Sequence, residues 1–189
     1  VSVLNVYNNA VGITVSPLSI NAPEGGAAGT FTVVLTSQPT ANVTIPVHLA
    51  SIAQGSIAPA SRTFTTGNWN VPQSFTVTAV DDALTDGTFI NTAFTDPATS
   101  TDIVYGGFDA DNVVVNHFDN DAAGIVVTPT SGLVTTEAGA TASFTVALTA
   151  LPSADVTINL ASSNAAEGTV LPASLTFTTL NWNTPRTVT

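Results

Sequence analysis

Six of the thirteen acidic side chains stand at three places along the chain: Glu24, then Asp81, Asp82 and Asp86, then Asp119 and Asp121. Carboxylates held close together repel, so a fold that gathers them calls for a cation among them. The chain has no cysteine and only two histidines, His48 and His117, so it can offer neither a thiolate site nor a cluster of imidazoles. Hard carboxylate oxygens, with backbone and Asn carbonyls nearby, select Ca2+ over zinc or copper. The chemistry on offer is cation binding, provided the fold unites residues separated by most of a domain.

Other chemistries find little support. There is no GxSxG elbow, no cysteine nucleophile, no lysine for a Schiff base and no glycine-rich phosphate loop before a helix. Asp109 and Asp111 could be imagined as a hydrolytic pair, but they read better as part of a solvated loop. The chain is expected not to be an enzyme. Trp69 and Trp182 could stack on a sugar face, yet a single Trp in a turn more often covers the end of its own core or packs on a neighbour. His48 and His117 form no metal-binding pair and read as ordinary surface or half-buried residues. Asn42-Val43-Thr44 fits the N-glycosylation pattern, which matters only in a glycosylating host.

Charge narrows the partners. Arg62 and Arg186 are the only basic residues besides the histidines, and the net charge is −11. Displacing counterions from a phosphate backbone needs a basic surface, so nucleic-acid binding is excluded, and anionic membranes are disfavoured for the same reason. No apolar run approaches the ~18 residues of a membrane-spanning helix, so membrane insertion is not expected. Without cysteine or lysine the chain can form neither disulfides nor Lys–Asn isopeptide crosslinks. Rigidity must come from packing and from metal bound to its acids.

The elements that must position these acids come twice. Gly12-Ile13-Thr14-Val15 returns as Gly124-Ile125-Val126-Val127, and Thr30–Ile45 returns nearly unchanged as Ser143–Ile158. Asn68-Trp69-Asn70 returns as Asn181-Trp182-Asn183. The offset is 112 at the glycines (12 to 124) and 113 at the tryptophans (69 to 182), a period that matches a whole domain rather than a solenoid unit. Residues 1–11 match 113–123 and read as the terminal strand of a preceding repeat. Residues 12–121 then form a complete repeat and 122–189 a truncated second one, a window on a tandem array. Only Ala122 and Ala123 separate Asp121 from Gly124, so the joint is expected to be short and fairly stiff, with Trp182 partly buried near it.

Short period-2 segments punctuated by Gly, Pro, Asn and Asp predict an all-β chain, with strands near 13–22, 29–36, 42–49, 61–66, 73–80, 88–95 and 112–118. Val43, Ile45, Val47 and Leu49 face inward, and Thr44, Pro46 and His48 outward. Seven strands fit an immunoglobulin-like antiparallel β-sandwich. An odd number of alternating strands enters at one end and leaves at the other, so repeats would join head to tail. The loops sort likewise. The turn at Glu24, the segment 50–60, the loop at Asp81, Asp82 and Asp86, and the exit at Asp119 and Asp121 share the far end. Residues 68–70 and the long loop 96–111 share the near end.

On Glu24-Gly25, Val80-Asp81-Asp82 with Asp86-Gly87, Asp119-Asn120-Asp121 and the two Asn-Trp-Asn-x-Pro turns, the chain resembles tandem Calx-β-type repeats. These are calcium-binding sandwiches of sodium/calcium exchangers, an integrin chain and many large bacterial surface proteins. The resemblance covers essentially the whole chain and is closest to bacterial extracellular versions. It implies Ca2+ as cofactor, with Glu24, Asp82, Asp86, Asp119 and Asp121 as ligands and Asp81 beside them. The sequence departs from the family in three places. Asp86 stands where Glu is common, Ser51–Ser56 offers no carboxylate, and Tyr7-Asn8-Asn9 replaces Asp119-Asn120-Asp121 in the preceding segment.

The function expected is a structural calcium-binding repeat of a secreted or cell-surface stalk, adhesin or extracellular fibre. Its partners would be neighbouring repeats and other copies of itself. The alternatives are a calcium-dependent adhesive or carbohydrate-binding module recognising a glycan or surface ligand, and a passive spacer within a large extracellular hydrolase. The second copy has no counterpart of the strands at 88–95 and 112–118. Continuation past Thr189 is the first expectation. Strands from another molecule are the second, with Val1–Tyr7 able to complete a neighbour's sandwich.

Overall fold

The computed structural model describes residues 10–189, so the expectation for residues 1–11 lies almost wholly outside the described residues. The chain divides into two compact units: Val1–Asp81 with Gly87–Asp119, and Asp82–Asp86 with Asn120–Thr189. All regular structure among the described residues is β-strand.

The first unit contains β1 (Ile13–Ser16), β2 (Ser19–Asn21), β3 (Gly29–Leu35), β4 (Val43–Leu49), β5 (Gly55–Ala58), β6 (Ser61–Phe64), β7 (Gln73–Ala79), β8 (Phe89–Thr95) and β9 (Val113–His117). They form a four-stranded sheet, β1-β3-β7-β5, and a five-stranded sheet, β2-β9-β8-β4-β6. The apolar residues alternate as period 2 demands: Val43, Ile45, Val47 and Leu49 of β4 are buried, and His48 between them is exposed. Phe31 and Phe75, opposite one another on β3 and β7, stack at 5.3 Å between ring centroids in the centre of the core. Pro46 sits inside a central strand without cost to the ladder. Only its carbonyl is needed there, and it accepts from the Asp96 N–H at 3.0 Å.

Three details depart from the seven-strand expectation. The segment read as one strand at 13–22 is two strands in different sheets, β1 beside β3 and β2 beside β9. The physical cause lies in the side-chain phase. Ile13 and Val15 are buried at odd positions, whereas Ile20 and Ala22 are buried at even ones, and Pro17 interrupts between them. The β2–β9 pair is parallel, an exception to the expected antiparallel sandwich. The stretch read as a loop at 50–60 contains β5, which pairs with β7 and closes the edge of the four-stranded sheet. The crossing of β2 over β3 is tight. A Cβ on Gly29 would lie 2.6 Å from the Asn21 carbonyl oxygen.

The second unit contains β10 (Ile125–Thr128), β11 (Phe144–Leu148), β12 (Val156–Asn159), β13 (Ser174–Phe177) and β14 (Arg186–Val188). These form a three-stranded sheet, β10-β11-β14, and a two-stranded sheet, β12-β13. Its core is small: Val146, Leu148, Leu175, Phe177 and Val188 are buried, with Trp182 half-buried against them. The segment Asp82–Asp86 belongs to this unit, where the Ala83 carbonyl accepts from the Leu151 N–H at 2.7 Å.

The repeated Asn-Trp-Asn turns work alike in both units. The Asn68 side-chain oxygen accepts from the Thr65 N–H at 2.6 Å, and Asn181 accepts from Thr178 at 2.8 Å, closing a side-chain-bonded turn. The Trp69 carbonyl then accepts from Leu35, and the Trp182 carbonyl from Leu148. Each indole packs half-buried against the core of its own unit.

Candidate metal centre

The acids are placed by backbone pairing. β2 and β9 run parallel, and their ladder continues beyond both strands. Ala22 N–H donates to Asn116 O at 2.9 Å, and Glu24 N–H to Phe118 O at 3.0 Å. That last bond sets Glu24 beside the residue after Phe118, which is Asp119. A tight turn follows, with Gly26 N–H donating to Pro23 O at 3.2 Å and Gly25 at a φ of 59°, where a glycine carries no penalty. Two residues past Asp119 the chain places Asp121.

One carboxylate oxygen each from Glu24 and Asp119, both of the first unit, can be chosen so that the two lie within 4.8 Å of one another. Oxygens bound to a single Ca2+ at about 2.4 Å sit no more than about 4.8 Å apart, so the spacing suits one shared ion. Glu24 is buried, at 5% exposure, and Asp119 and Asp121 are half-buried. The donor set is all oxygen, as a hard cation requires. The Gly87 N–H donates to Asp119 Oδ2 at 2.7 Å.

The resemblance implied three further acids beside these. Asp81, Asp82 and Asp86 are exposed, and none joins the close group. Asp82 Oδ1 accepts from the Leu84 N–H at 2.7 Å, an arrangement that shapes its own loop. Asp82, Asp86 and Asp121 fold with the second unit.

His117 was expected at the surface or half-buried, yet it is buried beneath this end of the sandwich. Its Nδ1 lies 3.1 Å from the Ala22 carbonyl, which can only accept, so Nδ1 carries the proton and donates. Asn91, also buried, holds the neighbouring segment by accepting from the Ser51 N–H and donating to the Ser51 carbonyl. The signal for burial was the parity His117 shares with Val113 and Val115. His48 is exposed as expected, paired with Asp96 at 3.0 Å and stacked on Phe94.

Sequence reasoning missed a polar cluster at the opposite end. The loop 96–111 was read as solvated, and Asp109 and Asp111 are indeed exposed. Asp102 and Tyr105 are buried, however. The Tyr105 hydroxyl donates to the Ser37 carbonyl at 2.8 Å and accepts from the Ser37 N–H at 3.1 Å. Asp102 accepts from the Thr40 N–H at 2.7 Å, from the Thr40 hydroxyl at 2.8 Å and from the Val104 N–H at 2.8 Å. The Thr40 amide foremost, then the Val104 amide and the Thr40 hydroxyl, lower the Asp102 carboxyl from 3.8 to about 2, against the opposing pull of burial. This cluster fastens a long loop and presents no reactive group. Its sequence signal was Tyr105 beside Gly106-Gly107.

No helix among the described residues is long and apolar enough to cross a membrane. No protein-family model and no curated protein matches the chain. Among solved structures it is similar to the calcium binding domain CBD12 of CALX1.1, at 14% identity and a TM-score of 0.46, covering 93% of this chain and 72% of that one. It is also similar to the periplasmic chaperone SfaE, at 11% identity and a TM-score of 0.45, over 58% of each chain, so it spans little more than half of SfaE. A third likeness is to the CsuC–CsuE chaperone–tip adhesion subunit pre-assembly complex of Acinetobacter baumannii, at 6% identity and a TM-score of 0.44, covering 92% of this chain and 93% of that one. At these identities and scores nothing follows about what this chain binds.

Proposed function

We propose that this chain is a structural, non-enzymatic, calcium-binding repeat of a secreted or cell-surface stalk, adhesin or extracellular fibre. The observation that carries the reading is the approach of the Glu24 and Asp119 carboxylates within 4.8 Å at one end of the first unit. A bound Ca2+ would relieve carboxylate repulsion there and fix the point at which the chain leaves β9, joining the turn after β2 to the residues after Phe118. A chain with no cysteine and no lysine gains in this way a crosslink it cannot make covalently. The tandem duplication supports an extended array, in which one module recurs to build length.

The alternative of a carbohydrate-binding module has no observation in its favour, because both indoles pack on their own cores. Melting in calcium against chelator tests the reading. A ligand present at a hundred times its Kd adds about 2.7 kcal/mol to the folded state, so the first unit should melt measurably higher in calcium. Glu24→Gln and Asp121→Ala should each remove most of that gain. Equal midpoints in wild type with and without calcium, together with no heat in a calorimetric calcium titration, would sink the proposal.

A further inference from the structure

The outer face of the first unit's five-stranded sheet carries a groove apart from both the core and the calcium cluster. Strand register builds one side of it. His48 of β4 lies opposite Phe94 of β8, and their rings stack at 5.1 Å between centroids. Two residues after Phe94, the Asp96 N–H donates to the Pro46 carbonyl at 3.0 Å, which continues the pairing with β4. The His48 Nδ1 lies 3.0 Å from Asp96 Oδ2, so one oxygen of that carboxylate is engaged and Oδ1 takes no bond among the described residues.

The other side comes from the end of the loop 96–111. Buried Thr95 shares its hydroxyl proton between the Ala110 and Asp111 carbonyls, at 2.9 and 3.0 Å, and its N–H donates to Asn112 Oδ1 at 3.0 Å. These bonds bring the returning chain back beside β8. Asp109 and Asn112 therefore line the groove together with His48, Phe94, Asp96 and Pro97, all of the first unit. The space is about 370 Å³, room for one long side chain. Asp109 is exposed and holds no ion pair among the described residues. Two carboxylates and a stacked pair of rings thus border one opening.

We propose that this groove receives an arginine side chain of a partner protein, with the guanidinium over the Phe94 and His48 rings and hydrogen-bonded to Asp96 and Asp109. A planar, delocalised and weakly hydrated cation stacks on aromatic faces, which a compact ammonium does less well. Carboxylate oxygens accept from the guanidinium fork in charge-assisted bonds. A chain of net charge −11 also draws cationic partners toward it and repels its own copies. A second copy is not the donor, because Arg62 and Arg186 already donate to backbone carbonyls. The inference goes beyond the calcium reading and is independent of it: no residue of the groove is among the acids assigned to the metal.

The test titrates a blocked Gly-Arg-Gly peptide into the 189-residue chain at low salt in chelator, followed by NMR. Signals of His48, Phe94, Asp96, Asp109 and Asn112 should shift saturably, and added salt should weaken the binding. Asp96→Asn and Asp109→Asn should each weaken it about tenfold, the loss of one charge-assisted hydrogen bond, with the spectrum away from the groove unchanged. A peptide with citrulline in place of arginine keeps the shape without the charge and should not bind the wild-type chain. Citrulline binding as well as arginine overturns the proposal. So do shifts that miss the groove, or that spread over distant acids such as Asp155 and Glu167, which would report attraction to the chain's net charge alone. Because the titration is run in chelator, its outcome leaves the metal reading to its own experiment.

Discussion

At the scale of single residues, the buried polar groups of the first unit are satisfied by partners distant in sequence. Tyr105 and Ser37 exchange hydrogen bonds across 68 positions, and Asp102 reaches Thr40 across 62. Tyr105→Phe should cost about 1–3 kcal/mol in urea denaturation, because it strips partners from Ser37 in a site closed to water. Asp102 makes acid stability a second test. Its folded pKa lies below its ordinary value, so the unfolded chain takes up the proton first as pH falls. The contribution of Asp102 is complete above about 3.8 and disappears as pH falls toward about 2. Urea midpoints of wild type and Asp102→Asn should therefore differ most near neutrality and converge through that window. A gap that stays constant down to pH 2 would show that the carboxylate does not titrate with folding.

At the scale of elements, the two sheets of each unit are tied along one edge, where β6 passes β7 in the first and β13 passes β14 in the second. The Arg62 guanidinium donates to the Ser74 carbonyl at 3.0 and 2.8 Å, and the Gln73 amide donates back to the Thr63 carbonyl at 3.1 Å. In the second unit Arg186 stands at the position of Gln73 and donates to the Thr176 carbonyl at 2.8 Å. The chain's only two arginines are thus engaged with backbone carbonyls. Multidentate donation of this kind suits the guanidinium fork, and lysine could not reproduce it. Element crossing sets a further test. Gly29→Ala should destabilise by about 1–3 kcal/mol, because the added Cβ meets the Asn21 carbonyl and the strands must separate to admit it. A variant as stable as wild type would mean that β2 is free to shift.

At the scale of the molecule, the two units draw on very different cores. The first buries aromatic and branched residues from both of its sheets, including Phe31, Phe64 and Phe75, with Tyr105 from the loop 96–111; the core cluster of the second has five buried residues. Burial stabilises by roughly 25 cal/mol per Å² of apolar surface, so the second unit should open first. Hydrogen exchange on the isolated chain should show amides of β10–β14 exchanging well ahead of those of β3, β4 and β9. Uniform protection across both units would mean that they unfold as one cooperative body.

The amino-acid sequence by itself determined the strand content, the duplication and the inward set on most strands. Each follows from local alternation and from residues compared at a fixed offset, as with Val43, Ile45, Val47 and Leu49, or with the paired Asn-Trp-Asn turns. The switch of sheet at Pro17 was also written there, in the change of phase from Ile13 and Val15 to Ile20 and Ala22, although reading 13–22 as one strand passed over it. Which acids meet could not be decided that way. Glu24 and Asp119 come together because a parallel β2–β9 ladder runs two residues past its strands, whereas Asp82, Asp86 and Asp121 fold with the second unit. Register and parallel pairing depend on contacts between segments nearly a domain apart. No local preference encodes them, and the clamp of Asp102 and Tyr105 was likewise decided only when the sheets closed on one another, whereas the burial of His117 was foreshadowed by the parity it shares with Val113 and Val115.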